Sequence, residues 1–309
     1  MATVITNLLS AIPWIGKDFV ESHNYMELIL STIGIVSPHA LKKGNKIRGN
    51  IEKTSFLSIP YSFLAMLVGF IDGDGYILIN KTTKGFIKIN LTISLNINDL
   101  STLNYIQSVL RLGKITVYPK SGIKDTCKLI INRTDLQEIL FPLILHYKMF
   151  FLTNTRRDQF EKAIFILKNN IKLFSDIHAI IPSLHSLPAS KEDYVSLPFF
   201  KNWIVGFTNA EGSFLIKSNQ DACFQLRQRT HLLLFESFNI IFGSNKKIGL
   251  DNNAYNLFSV SSKSDIQQVI NFFSFSGHHP LLGQKLIQYE NWLNYLRNSK
   301  RYHILKLPD

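Results

Sequence analysis

Two stretches decide how this chain folds: Leu67-Val68-Gly69-Phe70-Ile71-Asp72-Gly73-Asp74-Gly75 and Ile204-Val205-Gly206-Phe207-Thr208-Asn209-Ala210-Glu211-Gly212. Each ends an apolar run opened by Ser-x-Pro, at Ser58-Ile59-Pro60 and at Ser196-Leu197-Pro198. Ser before the run, Pro in its first turn and Gly at its stop read as a helix, with Ser58 and Ser196 as N-caps. In the first helix Ala65, Gly69 and Gly73 lie four apart and share a face, as do Gly206 and Ala210 in the second. Small residues on one face let two helix backbones approach closely. Each helix also ends on a carboxylate just past that face, Asp74 or Glu211. If the helices pack together the acids meet at an interface, where they repel unless they share divalent cations, which suit hard oxygen ligands. A metal there can activate water and offset charge on a transferring phosphate. Asp72, whose place is taken by Asn209 in the second copy, reads as a local cap.

The residues after each helix are repeated too, in the same order. Alternating stretches predict strands at 76–81 and 86–95, a helix at 99–110, strands at 114–118 and 127–132, and helices at 134–140 and 156–167. The second copy predicts strands at 213–217 and 222–229, a helix at 231–241, strands at 247–250 and 255–260, and helices at 263–273 and 286–297. Lys88-Ile89-Asn90-Leu91-Thr92-Ile93-Ser94-Leu95 shows the alternation of a sheet with one buried and one exposed face. The fold class is therefore α+β, built from two copies of one unit. The Pro- and Ser-rich stretch 181–195 is the natural linker. It separates a first domain, 58–180, from a second, 196–309, behind a leader at 1–57.

With 309 residues and 46% hydrophobic content the chain buries a substantial core and is not a disordered tail. Its formal charge of +12 points to a polyanionic partner, because clustered cations gain by displacing counterions from phosphates. Two cysteines, Cys127 and Cys223, make neither a disulfide framework nor a zinc quartet, and their apolar neighbours predict buried thiols. The apolar first 35 residues are broken by Lys17, Asp18, Glu21 and Glu27, so no uninterrupted run is long enough to span a bilayer, and no stable membrane insertion is expected. With no Arg before Arg48, the segment does not read as an import signal either.

The paired nonamers LVGFIDGDG and IVGFTNAEG resemble the motif of single-chain LAGLIDADG homing endonucleases and the related intron maturases, over about residues 58–309. The resemblance implies two pseudo-symmetric αββαββα domains in one chain, a monomer with an internal pseudo-dimer, whose antiparallel sheets form a saddle over the DNA major groove. It implies Mg²⁺-dependent cutting of both strands of a long, specific site, with Asp74 and Glu211 as the metal-binding acids. By the same likeness Lys285, in His279-Pro280-Leu281-Leu282-Gly283-Gln284-Lys285, is a catalytic lysine, and Thr155 stands at the matching place in the first half. Gln228, late in the second strand of its domain, matches a polar residue that positions active-site water, with Asn96 as its counterpart. The strands offer Lys81, Lys84, Lys88, Lys217, Gln225, Arg227 and Arg229 for nucleic-acid contact. Residues 3–16 resemble part of mitochondrial cytochrome b. That implies an intron product fused to its upstream exon and made inside the mitochondrion, with the intronless cytochrome b gene as its DNA target. The alternative reading is a maturase that binds its own intron RNA with little or no DNA cleavage, and the family allows both in one chain. A LAGLIDADG-fold transcriptional regulator is disfavoured by the presence of both acids.

Overall fold

Residues 46–47, 51–118, 125–177, 184, 186–229, 231–252 and 254–309 are described by a computed structural model. The stretch resembling cytochrome b, and most of the basic run at 42–48, lie outside the described residues. A two-residue antiparallel pair, Lys46–Ile47 with Ile51–Glu52, precedes the first domain.

The first domain runs α1 (Tyr61–Asp74), β1 (Gly75–Lys81), β2 (Ile87–Asn96), α2 (Leu100–Leu110), β3 (Lys114–Tyr118), β4 (Thr126–Asn132). Next in the chain comes a helical stretch, α3 (Arg133–Asp135) passing through a π turn at Leu136–Leu140 into α4 (Phe141–His146), and then α5 (Asn154–Lys168). A short helix α6 (Lys191–Ser196) leads to the second domain: α7 (Phe200–Glu211), β5 (Gly212–Ile216), β6 (Ala222–Arg229), α8 (Leu232–Ile241), β7 (Gly249–Asp251), β8 (Tyr255–Val260), α9 (Lys263–Ile270), α10 (Gly283–Asn298). The two four-stranded antiparallel sheets have the same order, β1-β2-β4-β3 and β5-β6-β8-β7. They also share a register, since Gly75 faces Ile93 and Ile93 faces Leu129, just as Gly212 faces Leu226 and Leu226 faces Phe258.

The alternation holds for the core face, but the opposite face of β2 is exposed only at Lys88, because Asn90 and Thr92 are buried as well. Ile87, Ile89, Leu91 and Ile93 of β2 are buried under the helices, each contributing about 1.5–3 kcal/mol of burial. Lys88 projects from the opposite face and is exposed. Cys127 and Cys223 are buried free thiols. Among the described residues no helix is long and apolar enough to cross a membrane.

Two expectations change. Ser58 and Ser196 are not the N-caps of α1 and α7: those positions belong to Pro60 and Phe199, without a side-chain cap. Each serine instead closes the preceding turn, Ser58 Oγ donating to the Ser55 carbonyl and Ser196 Oγ to that of Asp193. The expected linker is partly structured too. Its last residues form α6, held by a capping box between Ser190 and Asp193. Tyr194 anchors that helix in the core. At the other boundary Phe56, inside the expected leader, is buried against the first domain.

Candidate metal and catalytic centre

The small residues of the two repeat helices do what their spacing predicts. A Cβ on Gly69 would lie 1.9 Å from the Trp203 carbonyl oxygen, and one on Gly206 would lie 1.8 Å from that of Met66. Helices α1 and α7 therefore touch backbone to backbone, and only glycine allows it. At the far end Gly73 packs on Ala210 and Glu211, where a Cβ would come within 2.3 Å of the Ala210 methyl. Asp74 and Glu211 end these helices side by side, and both are half-buried.

Burial pushes the Glu211 carboxyl up to about 7, with the neighbouring Asp74 adding to the shift. Burial raises Asp74 to about 6, with Asp99 also raising it and the cations Lys285 and Arg156 opposing. Two carboxylates that are this costly to ionise together suit a divalent cation. No cluster of three or more His, Cys, Asp or Glu exists among the described residues, so water, backbone carbonyls and phosphate would have to complete the shell. Mg²⁺, which keeps several waters and binds through one or two carboxylates, fits that donor set.

Around the acids the two halves share a cation, a glutamine and a strand amide, while the backbone carbonyl that each cation holds differs. Lys285 Nζ donates to the Gly212 carbonyl and, at 3.1 Å, to Gln288 Oε1, which also accepts the Phe214 amide at 3.5 Å. Across the interface Arg156 Nε donates to the Ile71 carbonyl, and its Nη1 donates at 2.7 Å to Gln159 Oε1, which accepts the Ile77 amide at 3.0 Å. Ile77 and Phe214 hold the same register, two residues after Gly75 and Gly212. Arg156 is thus the counterpart of Lys285, and Thr155 is not. The sequence carries a signal for this pairing: a cation with Gln three residues later, Arg156…Gln159 and Lys285…Gln288. Burial lowers the pKa of both cations, while Asp74 and Glu211 act to hold the protons on.

Gln228 reaches the centre, its Nε2 donating to Glu211 Oε1 at 2.7 Å. Asn96 does not mirror it. Gln228 stands two residues beyond Leu226, and the same count from Ile93 arrives at Leu95. Asn96, one residue further on, uses its Oδ1 to accept the Asn98 amide and cap the turn before α2. Asn96 nevertheless lines, with Asp74, Asp99, Asn209, Lys285 and Gln288, a cavity of about 720 Å³ beside the acids.

Sequence reasoning also misses the struts between the domains. Asp72 is not the local cap that its position suggests, because all its partners lie 80 or more positions away. It accepts the Leu152 and Thr153 amides, the Thr153 hydroxyl and the Trp203 indole N–H from the other domain. Burial raises it to about 6 against those four donors. Asn209 does the equivalent with one bond, accepting the Leu282 amide at 2.8 Å. Asp99, at the head of α2, accepts the Gln284 amide of α10 at 2.9 Å; His231, at the head of α8, accepts the Asn154 amide of α5 at 3.4 Å. Gly283 has φ +49°, and a Cβ there would meet Thr102 Oγ1 at 2.1 Å.

The expected nucleic-acid residues divide. Lys88, Gln225, Arg227 and Arg229 stand on the sheet faces away from the core. Lys84 is exposed in the β1–β2 turn. Lys81 has the core side of the alternation and is exposed because the strand ends there. Lys217, just past β5, donates to Ser261 Oγ at 3.3 Å. Lys114 and Lys128, which the sequence does not single out, share the outer face of the first sheet; Lys128 stands over the Tyr118 ring at 5.2 Å.

The sequence profile of the family described as LAGLIDADG endonuclease matches residues 67–164 and 204–296. Probable intron-encoded endonuclease 4 of Neurospora crassa is 26% identical over 299 residues, 90% of this chain, which spans about half (50%) of that relative's length. Probable intron-encoded endonuclease Cox1-I1b of Schizosaccharomyces pombe is 28% identical over 275 residues, 79% of this chain and 67% of the relative. Among solved structures, I-SmaMI bound to uncleaved DNA target in the presence of calcium ions superposes with a TM-score of 0.57 at 22% identity, covering 78% of this chain and 92% of that one. The twin motif helices, the twin sheets and the profile matched in both halves lead to one assignment: the chain belongs to the LAGLIDADG endonuclease family.

Proposed function

We propose that this protein is a site-specific endonuclease that cuts both strands of DNA and so starts mitochondrial intron homing, using Mg²⁺ held by Asp74 and Glu211. One observation carries the reading: two acids meet at the ends of packed helices, each half adding a cation braced by glutamine. A bound divalent cation supplies charge neutralisation at the scissile phosphate and an activated water. The chain's own groups do the rest. Gln228 fixes the orientation of Glu211. Lys285 and Arg156, held rigid in a partly desolvated site, supply positive charge where the phosphate gains negative charge. The outer sheet faces carry Lys88, Gln225, Arg227 and Arg229 into the major groove, some to phosphate and some to base edges. We place the domain boundary within the 181–195 segment and the target in the intronless cytochrome b gene, the latter on the resemblance of residues 3–16.

A second reading, maturase activity on the chain's own intron RNA, is favoured by that same N-terminal resemblance. It is also favoured by the exposed cations Arg297, Lys300, Arg301 and Lys306, carried on and after the last helix and outside the sheet faces. The test is incubation of the full chain with intronless cytochrome b DNA and Mg²⁺, beside a binding and splicing assay on the intron RNA. Linear product supports the nuclease. Splicing without cutting reverses the order of the two readings.

A further inference from the structure

Among the cations on the sheets' outer faces, Arg227 is held differently from the rest. Its Nε donates to Asp251 Oδ2 at 2.7 Å, and its guanidinium carbon lies 4.0 Å from the centre of the Tyr255 ring. The register explains the meeting: Tyr255 faces Arg229 on one side and Asp251 on the other, and Leu257 faces Arg227, so all three side chains stand on the face away from the core. The pair is 43% and 40% exposed, so it contributes little to stability, and its effect is to fix where the guanidinium points. Among the described residues Lys84, Lys88 and Arg229 have no such brace, and Lys128 has a ring beneath it but no carboxylate.

With Nε occupied, Nη1 and Nη2 remain as an end-on fork, the geometry that takes the O6 and N7 of guanine in the major groove. Asp251 argues against a phosphate anchor. A carboxylate 2.7 Å from the cation would repel phosphate oxygens, whereas a base edge carries no net charge. We propose that Arg227 reads one guanine of the target, with Asp251 and Tyr255 as the positioning residues that preassemble it. This rests on the nuclease reading above.

The test is selection of bound and of cleaved targets from a randomised DNA library by the full chain and its variants. Arg227→Lys keeps the charge but loses the fork. It should bind targets lacking that guanine as the unaltered chain does, while its advantage for the preferred target shrinks by roughly three- to tenfold, because an ammonium still reaches O6 or N7 but without the fixed fork. Arg227→Ala should lose preference at the same base pair, and Asp251→Asn and Tyr255→Leu should weaken it there and nowhere else. Lys88→Ala should weaken all targets alike, with the preferred sequence unchanged. If Arg227→Lys leaves the selected sequence intact while Arg227→Ala weakens every target equally, Arg227 is a phosphate anchor and the assignment fails. If the unaltered chain selects no sequence at all, the nuclease reading fails and this assignment falls with it.

Discussion

The two domains share strand order, register and helix packing, yet they differ wherever a side chain meets the centre. The first ends its motif helix on aspartate and contributes Arg156; the second ends on glutamate and contributes Lys285, whose charge acts first on Asp74 of the other half. Glu211 has Gln228 at 2.7 Å, while the matching place in the first domain is filled by Leu95. Asp72 gathers four donors where Asn209 takes one from the last-helix loop. What the backbone needs is therefore duplicated, because two helices that touch along a pseudo-dyad must both be narrow there. Polar side chains are free to diverge, since each has only its own partners to satisfy.

The acids are where the comparison should break first. Asp74→Asn or Glu211→Gln should each cut double-strand cleavage by about 10³-fold or more, because losing either carboxylate removes a metal ligand. DNA binding should be near normal. Equal, normal cutting by both variants in a gel assay would mean the acids are not the metal site.

Next come the glycines that make the halves alike. Gly69→Ala or Gly206→Ala should destabilise the fold by about 3 kcal/mol or more, at the top of the overpacking range, because the obstruction is a carbonyl that cannot step aside. Thermal unfolding of the two variants should show similar losses; a small loss in one would mean the helices are not held equally on both sides.

The cations sharpen the comparison strand by strand. Lys285→Met and Arg156→Met should each slow cutting about 10- to 100-fold, on opposite strands, so that nicked duplex accumulates. Thr155→Lys should change little, since Arg156 already occupies the matched position. End-labelled strands on a supercoiled target would track both cuts. Acceleration by Thr155→Lys would reinstate Thr155 as the counterpart of Lys285.

A smaller effect lies in pH. Asp72, Asp74 and Glu211 all have folded pKa values raised above the ordinary carboxylate range, to about 6, 6 and 7. The native state thus holds protons that the unfolded chain has released. Stability is fullest below about pH 4 as far as these groups go, and it declines as pH rises through 6 and 7. Mg²⁺ should raise the melting temperature at pH 8 and hardly at pH 5, with chelation reversing it. The combined Asp74→Asn and Glu211→Gln variant should lose that metal response and much of the pH slope, keeping the part due to Asp72. A metal response that survives in this variant would place the cation elsewhere.

The smallest change expected is at the sheet tip. Lys84→Ala should lower DNA affinity uniformly and reduce the slope of log affinity against log salt by about 1. An unchanged slope would remove Lys84 from the interface.

Much of the fold and the centre is legible in the residues. The nonamers specify the helix pair, and alternation in 86–95 specifies the buried face of β2 with only its ends shifted. Gln228 is found through the family likeness, since a polar residue late in a strand reads equally well as a solvated strand end. The misplacements have a common cause. Thr155 rests on likeness of a loop, where insertions blur alignment, while Arg156 is identified by the glutamine it holds. Asn96 is one residue off because a strand's register shows only against its neighbour. Ser58 and Ser196 read as caps because a hydroxyl before a helix and one ending a turn look the same in sequence.

By itself the sequence determined the duplicated unit, the close helix pair and the two acids. Each depends on local rules: four-residue spacing on a helix, two-residue spacing in a strand, and the absence of a side chain at glycine. Only the tertiary structure decided that Asp72 pins the other domain's Trp203 and that Arg227 is braced by Asp251 and Tyr255. Those pairings join residues from 24 to 131 positions apart. Their geometry is set by how sheets and helices pack, which no local pattern encodes.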